Sequence, residues 1–496
     1  MKKAVRFLAL TLAVLMLLAV AVACGDTPPE KTPDTTVAKP EQTDDGKFHP
    51  EHYIPGDDLG DYEFRILSPI HDWAIMEMTY DSITGDLIND AIYARQKSVE
   101  ELLHVKLSQE NNGSPISKLQ TTAALSGEDA FDVALTPTYD ALTLFLEGYT
   151  VDQSTISSIH LHQPWWEERF NSEVNLRNKR YITFGNASMI YYCSFYLFAF
   201  NKRMVENYCL EMPYDLVESG DWTWDKAFEM MKVVATDTDG DGLSTPATDA
   251  DILGLTGHVN HCRNVMFSSG FTICEQDAEG NITFNGLSEN YIDAYDKFLK
   301  NFLANPACAF SGLANSRFKG YETTPGVKDY IDLFVKGRAL FHITGPMEVT
   351  TIRESQNEYG IVVVPKYSKE QQNYITPVYS ATSGFVVPVA SGDVERTGKV
   401  LEALCAFSYK NIVDKHISVV LHFRVAQDPT AIKMINLAYA SGAIDVSMAN
   451  NFGTCTSLLN NLHVQVNDGV SRVFNSVKTM IQNDIKGKLE KLDAMD

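Results

Sequence analysis

The chain has 496 residues, a net charge of −23 and eight cysteines. Its length exceeds what one hydrophobic core normally organises, so we expect two lobes. The acidic balance, 64 acidic against 41 basic residues, argues against nucleic acid as a partner, because such binding needs basic patches. The cysteines show neither a CxxC pair nor zinc-ligand spacing, which argues against a disulfide framework and a zinc site; pairing of Cys262 with Cys274 stays open.

The N-terminus is typical of an exported chain. A basic start precedes an apolar run that is short for a membrane span and ends in small residues, so residues 1–23 are predicted to be a signal peptide. The run ends Ala-Val-Ala-Cys, which is similar to a bacterial lipobox and predicts a lipid on Cys24; an ordinary signal peptide with an accidental cysteine is the alternative. Residues 24–60 are rich in proline and charge, so we expect a disordered tether. The protein is therefore expected outside the cytoplasm, lipid-anchored to the outer face of the bacterial cell membrane.

Beyond the tether, strand-like and helix-like patterns alternate. The sequence predicts strands at 62–67, 105–109 and 131–135 and helices at 87–103 and 116–127. This alternation favours a mostly parallel sheet and an α/β fold. Residues 136–140 are predicted to form the loop after the third strand, at its carboxyl end, where open α/β sheets bind ligands.

A second set of elements begins near residue 179. Two strand-like runs surround Gly185-Asn186, and Thr223 is suited to cap a helix over 224–235. Further strands are predicted at 338–346, 360–365 and 383–390. Beyond Val394 the apolar spacing is helical almost to the end of the chain.

Several stretches occur in the order found in one protein family. They are FNKRMVENYCLEMPYDLVESGDWTWDKAFEMMKVV, DTDGDG followed by ILGLTG, GRALFHITGP, YGIVVVPKY and a late GFVVPVAS before a helical tail. With the lipobox and the tether, this ordered set resembles the extracellular solute-binding proteins of ABC importers, in the sugar-binding, maltose-binding-protein-like family 1. The resemblance covers about residues 60–496.

The resemblance implies an α/β, two-lobed, periplasmic-binding-protein-like fold of type II, with mixed sheets flanked by helices and a hinge between the lobes. The N-lobe would hold residues 61–185 and 343–380. The C-lobe would hold 186–342 and 381–496, with tail helices partly packing back on the N-lobe. A ligand would select the closed form by touching both lobes, and the permease subunits of an ABC transporter would recognise that form. We expect a monomer with no nucleic-acid partner.

Aspartates at alternate positions mark the segment TDTDGDGLST. Asp237, Asp239 and Asp241 match positions 1, 3 and 5 of an EF-hand-type loop, Gly242 suits the sharp turn, and the carbonyl of Leu243 suits position 7. Oxygen ligands in this spacing predict a calcium ion. A solvated acidic turn is the alternative.

The residue that would close this calcium site is open from the spacing alone. Position 12 is Thr248 rather than a bidentate glutamate, so Asp249 or Asp251 would have to complete the shell. The resemblance favours Asp251, which stands just before the ILGL strand. Because the motif has no open metal position or neighbouring histidine, we expect a structural ion and no catalysis.

The layout implied by the resemblance places certain side chains against a ligand. Sugars present C–H faces on which aromatic rings stack, and hydroxyls that carboxylates and amides bind. The chain departs from the family pattern after its Gly-Pro, where Met347 and Glu348 replace a common aromatic residue. Four of the five tryptophans are expected to pack the interior rather than contact a ligand: Trp165, Trp166, Trp222 and Trp224. The predicted ligand-binding residues are Trp73, Tyr139, Asp140, Tyr192, Ser194, Asn260, Arg263, Glu348 and Tyr379.

The expected function is capture of a carbohydrate, in the first place an oligosaccharide, and its delivery to an ABC transporter permease. The sequence contains no nucleophile elbow, HExxH or Walker motif, so no catalytic residue is predicted and no enzyme is expected. Two alternatives stay open. One is a secreted carbohydrate-active enzyme, which would need two carboxylates across the cleft. The other is a ligand sensor for a membrane histidine kinase.

Overall fold

A computed structural model gives the fold of the chain. It describes residues 48–71, 74–124, 131–238, 251–311, 330–346, 348, 352, 357–421, 429–457 and 469–495. The predicted signal peptide, the lipidation site Cys24 and the first part of the predicted tether lie outside the described residues. Trp73, Asp239, Asp241 and Leu243 also lie outside them.

Strands and helices alternate along most of the described chain. The strands are β1 (Tyr62–Pro69), β2 (Val105–Asn112), β3 (Val133–Pro137), β4 (Leu197–Asn201), β5 (Leu253–His258), β6 (Cys274–Gln276), β7 (Ile282–Phe284), β8 (Cys308–Ser311), β9 (Ala339–Thr344), β10 (Tyr359–Val363), β11 (Thr376–Pro377), β12 (Ser383–Val386) and β13 (Gly442–Ala443). The helices are α1 (Leu87–Leu103), α2 (Pro115–Ala124), α3 (Thr138–Leu146), α4 (Glu168–Val174), α5 (Lys202–Asn207), α6 (Pro213–Ser219), α7 (Trp224–Val234), α8 (Val259–Val265), α9 (Glu289–Phe298), α10 (Tyr330–Val335), α11 (Val394–Ser408), α12 (Ile412–Leu421), α13 (Pro429–Ala440), α14 (Val446–Ala449) and α15 (Val470–Asp493).

The first sheet has the parallel core that the sequence predicts. Within the described residues its strand order is β12-β3-β1-β2, with β1 parallel to β2 and β3, and β12 antiparallel to β3. β3 is buried along its whole length, as expected for a strand covered on both faces. Helix α1 connects β1 to β2 and begins where Asp86 accepts hydrogen bonds from the amides of Ile88 and Asn89, at 2.9 and 3.0 Å.

The second sheet is mixed. In the described part of the chain its order is β10-β4-β9-β5-β8, with β5 parallel to β8 and β9 and with β4 antiparallel to β9 and β10. Helix α7 packs on β5 and begins where Thr223 accepts a hydrogen bond from the Lys226 amide at 3.3 Å, as predicted. Trp222 and Trp224 are fully buried beside this cap, which confirms their packing role.

Two strands lie in the sheet opposite to the predicted one. β10, predicted within the N-lobe segment 343–380, pairs with β4 of the second sheet. β12, predicted within the C-lobe segment 381–496, pairs with β3 of the first sheet. Both strands are buried throughout, so neither shows an alternation of apolar and polar residues that would indicate the sheet to which it belongs. The other lobe boundaries stay a prediction.

Residues 48–60, predicted as the end of the tether, are packed against the first lobe, which is the lobe built around the first sheet. The Phe48 and Tyr53 rings stack with centroids 5.4 Å apart, and the Tyr53 ring meets Trp165 edge-on at 6.1 Å. Ile54 is buried. The tether prediction does not hold for these residues, because an average over residues 24–60 hides the apolar side chains of Phe48, Tyr53, Ile54 and Leu59 near its end.

Helix α11 fastens the tail to the first lobe through one buried carboxylate. Glu402 accepts hydrogen bonds from the indole N–H groups of Trp165 and Trp166, at 3.1 and 2.8 Å, and from the His160 amide at 3.1 Å. Both tryptophans are buried, which confirms their predicted structural role. Helix α11 of the tail therefore packs on the segment that contains His160, Trp165 and Trp166.

The cysteines of the described chain are free thiols, among them Cys262 and Cys274, so these two do not form a disulfide. Both are buried, and burial raises the pKa of each well above the usual value for a thiol. Among the described residues, no helix has both the length and the apolar composition that a membrane span requires.

Candidate functional site

A cavity of about 370 Å³, the cleft cavity, is lined by residues that come after strands of both sheets in the chain. The structure brings together in it five of the predicted ligand-binding residues: Tyr139, Asp140, Asn260, Arg263 and Tyr379. Its remaining described lining comes from α8 and the turn after it, from the chain before β12 and from the tail: Asn264, Phe267, Ser380, Ala381, Met448, Asn451, Thr456 and Ser457.

The first wall forms where β3 runs directly into α3. Residues 136–140, predicted as a loop, are the end of the strand and the first turn of the helix. The Thr138 amide donates to the Thr382 carbonyl at 3.0 Å, and the Thr138 hydroxyl donates to the Ser380 carbonyl at 2.6 Å. These bonds hold Tyr139 and Asp140 at the carboxyl end of a parallel strand, as the sequence predicts for a ligand site.

The second wall forms in the same way after β5. His258 caps α8 by accepting a hydrogen bond from the Asn260 amide at 3.1 Å. One turn later, the Arg263 guanidinium contacts the Asn260 side-chain oxygen and donates to the Val259 carbonyl at 3.4 Å. Burial lowers the pKa of Arg263 from its usual value, although the group remains a cation at neutral pH. This wall therefore presents a positively charged donor to the cavity.

Tyr379 lies between these walls, on the chain that leads to β12. Its amide donates to the Ser194 carbonyl at 2.8 Å, and its ring lies 6.2 Å from the Tyr196 ring. Burial raises the pKa of the Tyr379 hydroxyl, so it is a neutral donor and acceptor at physiological pH.

The electrostatic feature of the cavity is a half-buried carboxylate. Burial raises the pKa of Asp140 to about 6, and no hydrogen bond or cation of the described residues opposes that shift. Burial together with the Asp140 charge raises the pKa of Tyr139 to about 12. Asp140 is thus an acceptor whose usual hydration is partly removed and not replaced by protein donors, so a donor on a ligand would stabilise it.

The tail supplies a third wall that the sequence analysis missed. Met448, Asn451, Thr456 and Ser457, together called the tail wall, line the cavity beside the other two walls. They lie in and after α14, in the stretch MANNFGTCTS, whose asparagines and glycine indicate only a turn. No local pattern places that turn against α3 and α8, because its position depends on the packing of the tail helices.

Two predicted ligand-binding residues lie in the protein interior instead. The Tyr192 hydroxyl hydrogen-bonds to Glu167 and Asn186, and the Ser194 hydroxyl donates to the Ile190 carbonyl at 2.6 Å. Both side chains are buried, and neither lines the cleft cavity. The structure therefore places them apart from the other predicted residues, and their contact with a ligand stays a prediction.

Glu348 lies near the second wall but does not line the cavity. Its carboxylate is 3.6 Å from the His261 ring nitrogen and accepts a hydrogen bond from the Gly345 amide at 3.4 Å. The His261 ring packs on Tyr196 with centroids 5.3 Å apart. Glu348 therefore contacts α8 through His261.

No family model and no curated protein sequence matches the chain, whereas solved structures do. The galacto-N-biose-/lacto-N-biose I-binding protein of the ABC transporter from Bifidobacterium longum, in complex with lacto-N-biose, is 13% identical with a TM-score of 0.57 over 87% of this chain and 98% of that one. An ABC substrate-binding protein from Listeria monocytogenes in complex with cycloalternan is 12% identical, with a TM-score of 0.52 over 86% and 99%. The chain has the two-lobed fold of these solute-binding proteins. The predicted fold class is thereby confirmed.

At such identities the likeness concerns the fold. UgpB from Mycobacterium tuberculosis in complex with glycerophosphocholine has a TM-score of 0.51 to the chain, at 12% identity, over 81% of this chain and 96% of that one. Proteins with different ligands therefore share this two-lobed fold. The ligand of this chain has to be argued from its own cavity.

Two of the predicted calcium ligands, Asp237 and Asp251, lie among the described residues. Asp251 is buried and accepts a hydrogen bond from the Thr238 amide at 2.8 Å. Thr236 and Ile252 form an antiparallel bridge, so the two ends of the predicted loop are held together at its base. Across the described residues, no three His, Cys, Asp or Glu side chains gather as a metal site requires.

Ligand affinity should depend on pH through Asp140. Its pKa of about 6 lies above the ordinary 3.8, so the carboxylate is ionised at pH 7 and takes up a proton as pH falls through 6. For a ligand that donates a hydrogen bond to this carboxylate, affinity should be constant from about pH 7 to 8 and fall several-fold by about pH 5. Calorimetric titrations across that range would measure the change.

The control for this pH dependence is Asp140→Asn, which keeps the shape and removes the titration. Buried Asp445, whose pKa is also raised to about 6 by burial, remains in both proteins. If the variant shows the same loss of affinity toward pH 5 as the native chain, the titrating group is not Asp140.

A wider cavity of about 650 Å³ lies beside α4 and the β6–β7 hairpin. Its two arginines are paired with carboxylates: Arg169 lies 2.7 Å from Glu173, and Arg180 lies 3.2 Å from Glu168. None of the predicted ligand-binding residues lines it. It provides control positions for experiments on the cleft cavity.

Proposed function

We propose that the chain is an extracytoplasmic solute-binding protein, which captures a carbohydrate between its lobes and delivers it unchanged to an ABC transporter permease. The observation that carries this proposal is a single cavity with Asp140 following a strand of the first sheet and Arg263 following a strand of the second. A ligand that contacts both walls favours the closed arrangement of the lobes over the open one. The complexes with lacto-N-biose and cycloalternan support this use of the fold.

The cavity chemistry suits a polyhydroxylated guest. Each sugar hydroxyl both donates and accepts, and the cavity offers a carboxylate acceptor at Asp140, a cationic donor at Arg263 and hydroxyls at Tyr139 and Tyr379. The rings of both tyrosines and of Phe267 offer apolar faces for C–H groups. A volume of about 370 Å³ is near the lower end of ligand cavities, about 300–1,000 Å³, which favours a short saccharide.

The residues that line the cleft cavity favour binding of a saccharide without its hydrolysis. Glycoside hydrolysis ordinarily needs two carboxyl groups on opposite sides of the scissile bond. Among the described residues that line the cleft cavity, Asp140 is the one carboxylate. The sugar-bound proteins of the same fold are binding proteins rather than enzymes.

The proposed role is tested by a thermal-shift screen of the full chain. The panel would contain monosaccharides, disaccharides, maltotetraose, glycerophosphocholine and amino acids, because a ligand of the folded state raises the melting temperature by mass action. We expect a short saccharide to raise it and to be recovered intact after incubation. A shift with glycerophosphocholine or an amino acid and none with any sugar would overturn the carbohydrate assignment; a cleaved sugar would overturn the binding role.

We also propose that Cys24 carries a lipid after removal of residues 1–23 and that the mature protein is a membrane-anchored monomer. The lipobox-like Ala-Val-Ala-Cys and the polar stretch after it support this. In the native host, Cys24→Ser should move the chain from the membrane fraction to the medium. Equal membrane retention of the variant and the native chain would contradict the anchor.

Calcium is proposed as a structural brace of the 237–251 loop. The donors are all oxygens, and Asp251 joins the two ends of the loop through Thr238. Removal of calcium with EDTA should lower the melting temperature, because an ion present at 100 times its dissociation constant stabilises the folded state by about 2.7 kcal/mol. Sugar affinity should stay unchanged, since neither Asp237 nor Asp251 lines the cleft cavity. Asp237→Asn with Asp251→Asn should remove the EDTA effect; an unchanged effect would place the ion elsewhere.

A further inference from the structure

The amide of Asn451 in the tail wall is oriented by its own turn. Asn451 adopts the left-handed conformation at φ 48°, which asparagine tolerates better than most residues. Its side-chain oxygen accepts hydrogen bonds from the Thr456 amide at 3.3 Å and the Thr456 hydroxyl at 2.5 Å. Because a backbone amide can only donate, the atom facing Thr456 must be the oxygen. Asn451 lines the cleft cavity, and its Nδ2 group, with two N–H donors, takes no part in these bonds to Thr456.

The turn that carries Asn451 is held by helix α15. Asp484 accepts a hydrogen bond from the Gly453 amide at 2.9 Å, and Lys488 lies 2.9 Å from Asp484 and donates to the Asn450 carbonyl at 3.0 Å. Gly453 has a positive φ of 52°, and a Cβ there would lie 2.7 Å from the Ile481 side chain, so the turn fits closely on the helix. These contacts leave the turn little freedom.

The turn is also held from the first lobe. The Tyr181 hydroxyl donates to the Asn450 side-chain oxygen at 2.6 Å, and the Asn450 amide group donates to the Val174 carbonyl at 3.1 Å. Tyr181 and Asn450 are both buried. The position of Asn451 relative to Asp140 and Arg263 is therefore determined by the fold on both sides of the turn.

We infer that Asn451 contacts the ligand and determines specificity by donating a hydrogen bond, and that Asp484 is a positioning residue for it. The identity of the ligand as a saccharide rests on the proposed function; the two residue roles rest on the contacts of the turn. Asp140 can only accept when ionised, whereas the Asn451 Nδ2 can only donate. A guest hydroxyl can satisfy either, but a guest group at the Asn451 position must be able to accept.

The first test is Asn451→Asp in the full chain. Aspartate keeps the shape, tolerates the left-handed conformation and still accepts from Thr456, but it replaces the two donors by an acceptor. Affinity for the best saccharide of the thermal-shift panel should fall about tenfold and the ranking of the panel should change, with the melting temperature of the ligand-free protein nearly unchanged. The matched control is Asn178→Asp, the same change at another left-handed asparagine, which lines the wider cavity.

The second test separates positioning from general stability. Asp484→Ala removes the acceptor of the Gly453 amide and should lower saccharide affinity several-fold, whereas Asp484→Asn retains an acceptor oxygen and should restore most of it. A role limited to the ion pair with Lys488 would be lost equally in both variants. Glu490→Ala is the control on the same helix, because that carboxylate is exposed and lies 3.7 Å from an exposed Lys486.

The outcomes distinguish the inference from the proposed function. Equal saccharide affinity in Asn451→Asp and the native chain would overturn the role of Asn451 and leave the proposed function standing. Binding of glycerophosphocholine alone, weakened in Asn451→Asp, would overturn the carbohydrate assignment and support Asn451. If no compound of the panel binds the native chain, both are overturned. An Asp484→Ala protein with native affinity would overturn the positioning role alone.

Discussion

Replacing Glu402 by alanine should lower the free energy of unfolding by about 3–5 kcal/mol. The carboxylate is 5% exposed and accepts from two indole N–H groups and a backbone amide. Trp165 and Trp166 are themselves 1% and 4% exposed, so water cannot replace the lost acceptor without disrupting their packing. The loss therefore combines unsatisfied buried donors with a cavity beneath α11. Urea denaturation followed by tryptophan fluorescence would measure it.

The matched control is Glu395→Ala, on the same helix and facing the same segment. The Glu395 carboxylate accepts from the Ser157 amide at 2.8 Å and from the Ser158 amide at 3.1 Å, but it is close to solvent. Water can take over those bonds, so this variant should lose only about 1 kcal/mol. Glu402→Gln should lie between the two, because one amide oxygen replaces two carboxylate oxygens. If Glu402→Ala and Glu395→Ala are equally stable, the two indole bonds contribute little.

The elements that depend on local pattern could be predicted from the sequence. Helix α1 has the predicted bounds, 87–103, and Thr223 caps α7 as predicted, because apolar spacing and capping are encoded within a few residues. The sheet assignments of β10 and β12 were not predictable in this way. Both are short buried runs, and their partners β4 and β3 lie far away in the sequence. When both faces of a strand are apolar, its sequence does not indicate which distant strand it pairs with.

The site residues also divide into those that the sequence could predict and those that depend on packing between distant segments. Tyr139, Asp140, Asn260 and Arg263 follow strands at their carboxyl ends, and that rule together with the family layout was enough to group them. Tyr192 lies apart from them, because sequence does not show whether a polar group between the lobes is hydrogen-bonded by the protein itself. The tail wall could not be predicted, since its place beside α3 and α8 results from the packing of helices at the end of the chain.

Replacing Arg263 by alanine should weaken saccharide binding about 10- to 100-fold, the range for loss of a hydrogen bond to a charged group. The guanidinium lines the cleft cavity, is partly removed from water, and is placed by Asn260 and the Val259 carbonyl of its own helix. A ligand that accepts from it replaces lost hydration and links the second lobe to Asp140 on the first. Removing it therefore affects both direct contact and lobe closure. Calorimetry at pH 7.5, where Asp140 is ionised, would measure the affinity.

Two further variants serve as controls for the affinity of Arg263→Ala. Arg263→Lys keeps the positive charge and loses the planar arrangement of donors, so its affinity should lie between those of the alanine variant and the native chain. Arg180→Ala removes an arginine from the wider cavity, where it is paired with Glu168, and should leave saccharide affinity unchanged. If folded Arg263→Ala binds within twofold of the native chain, the second wall does not contact the ligand. Binding would then be confined to one lobe, and a clamp between two lobes would no longer explain capture.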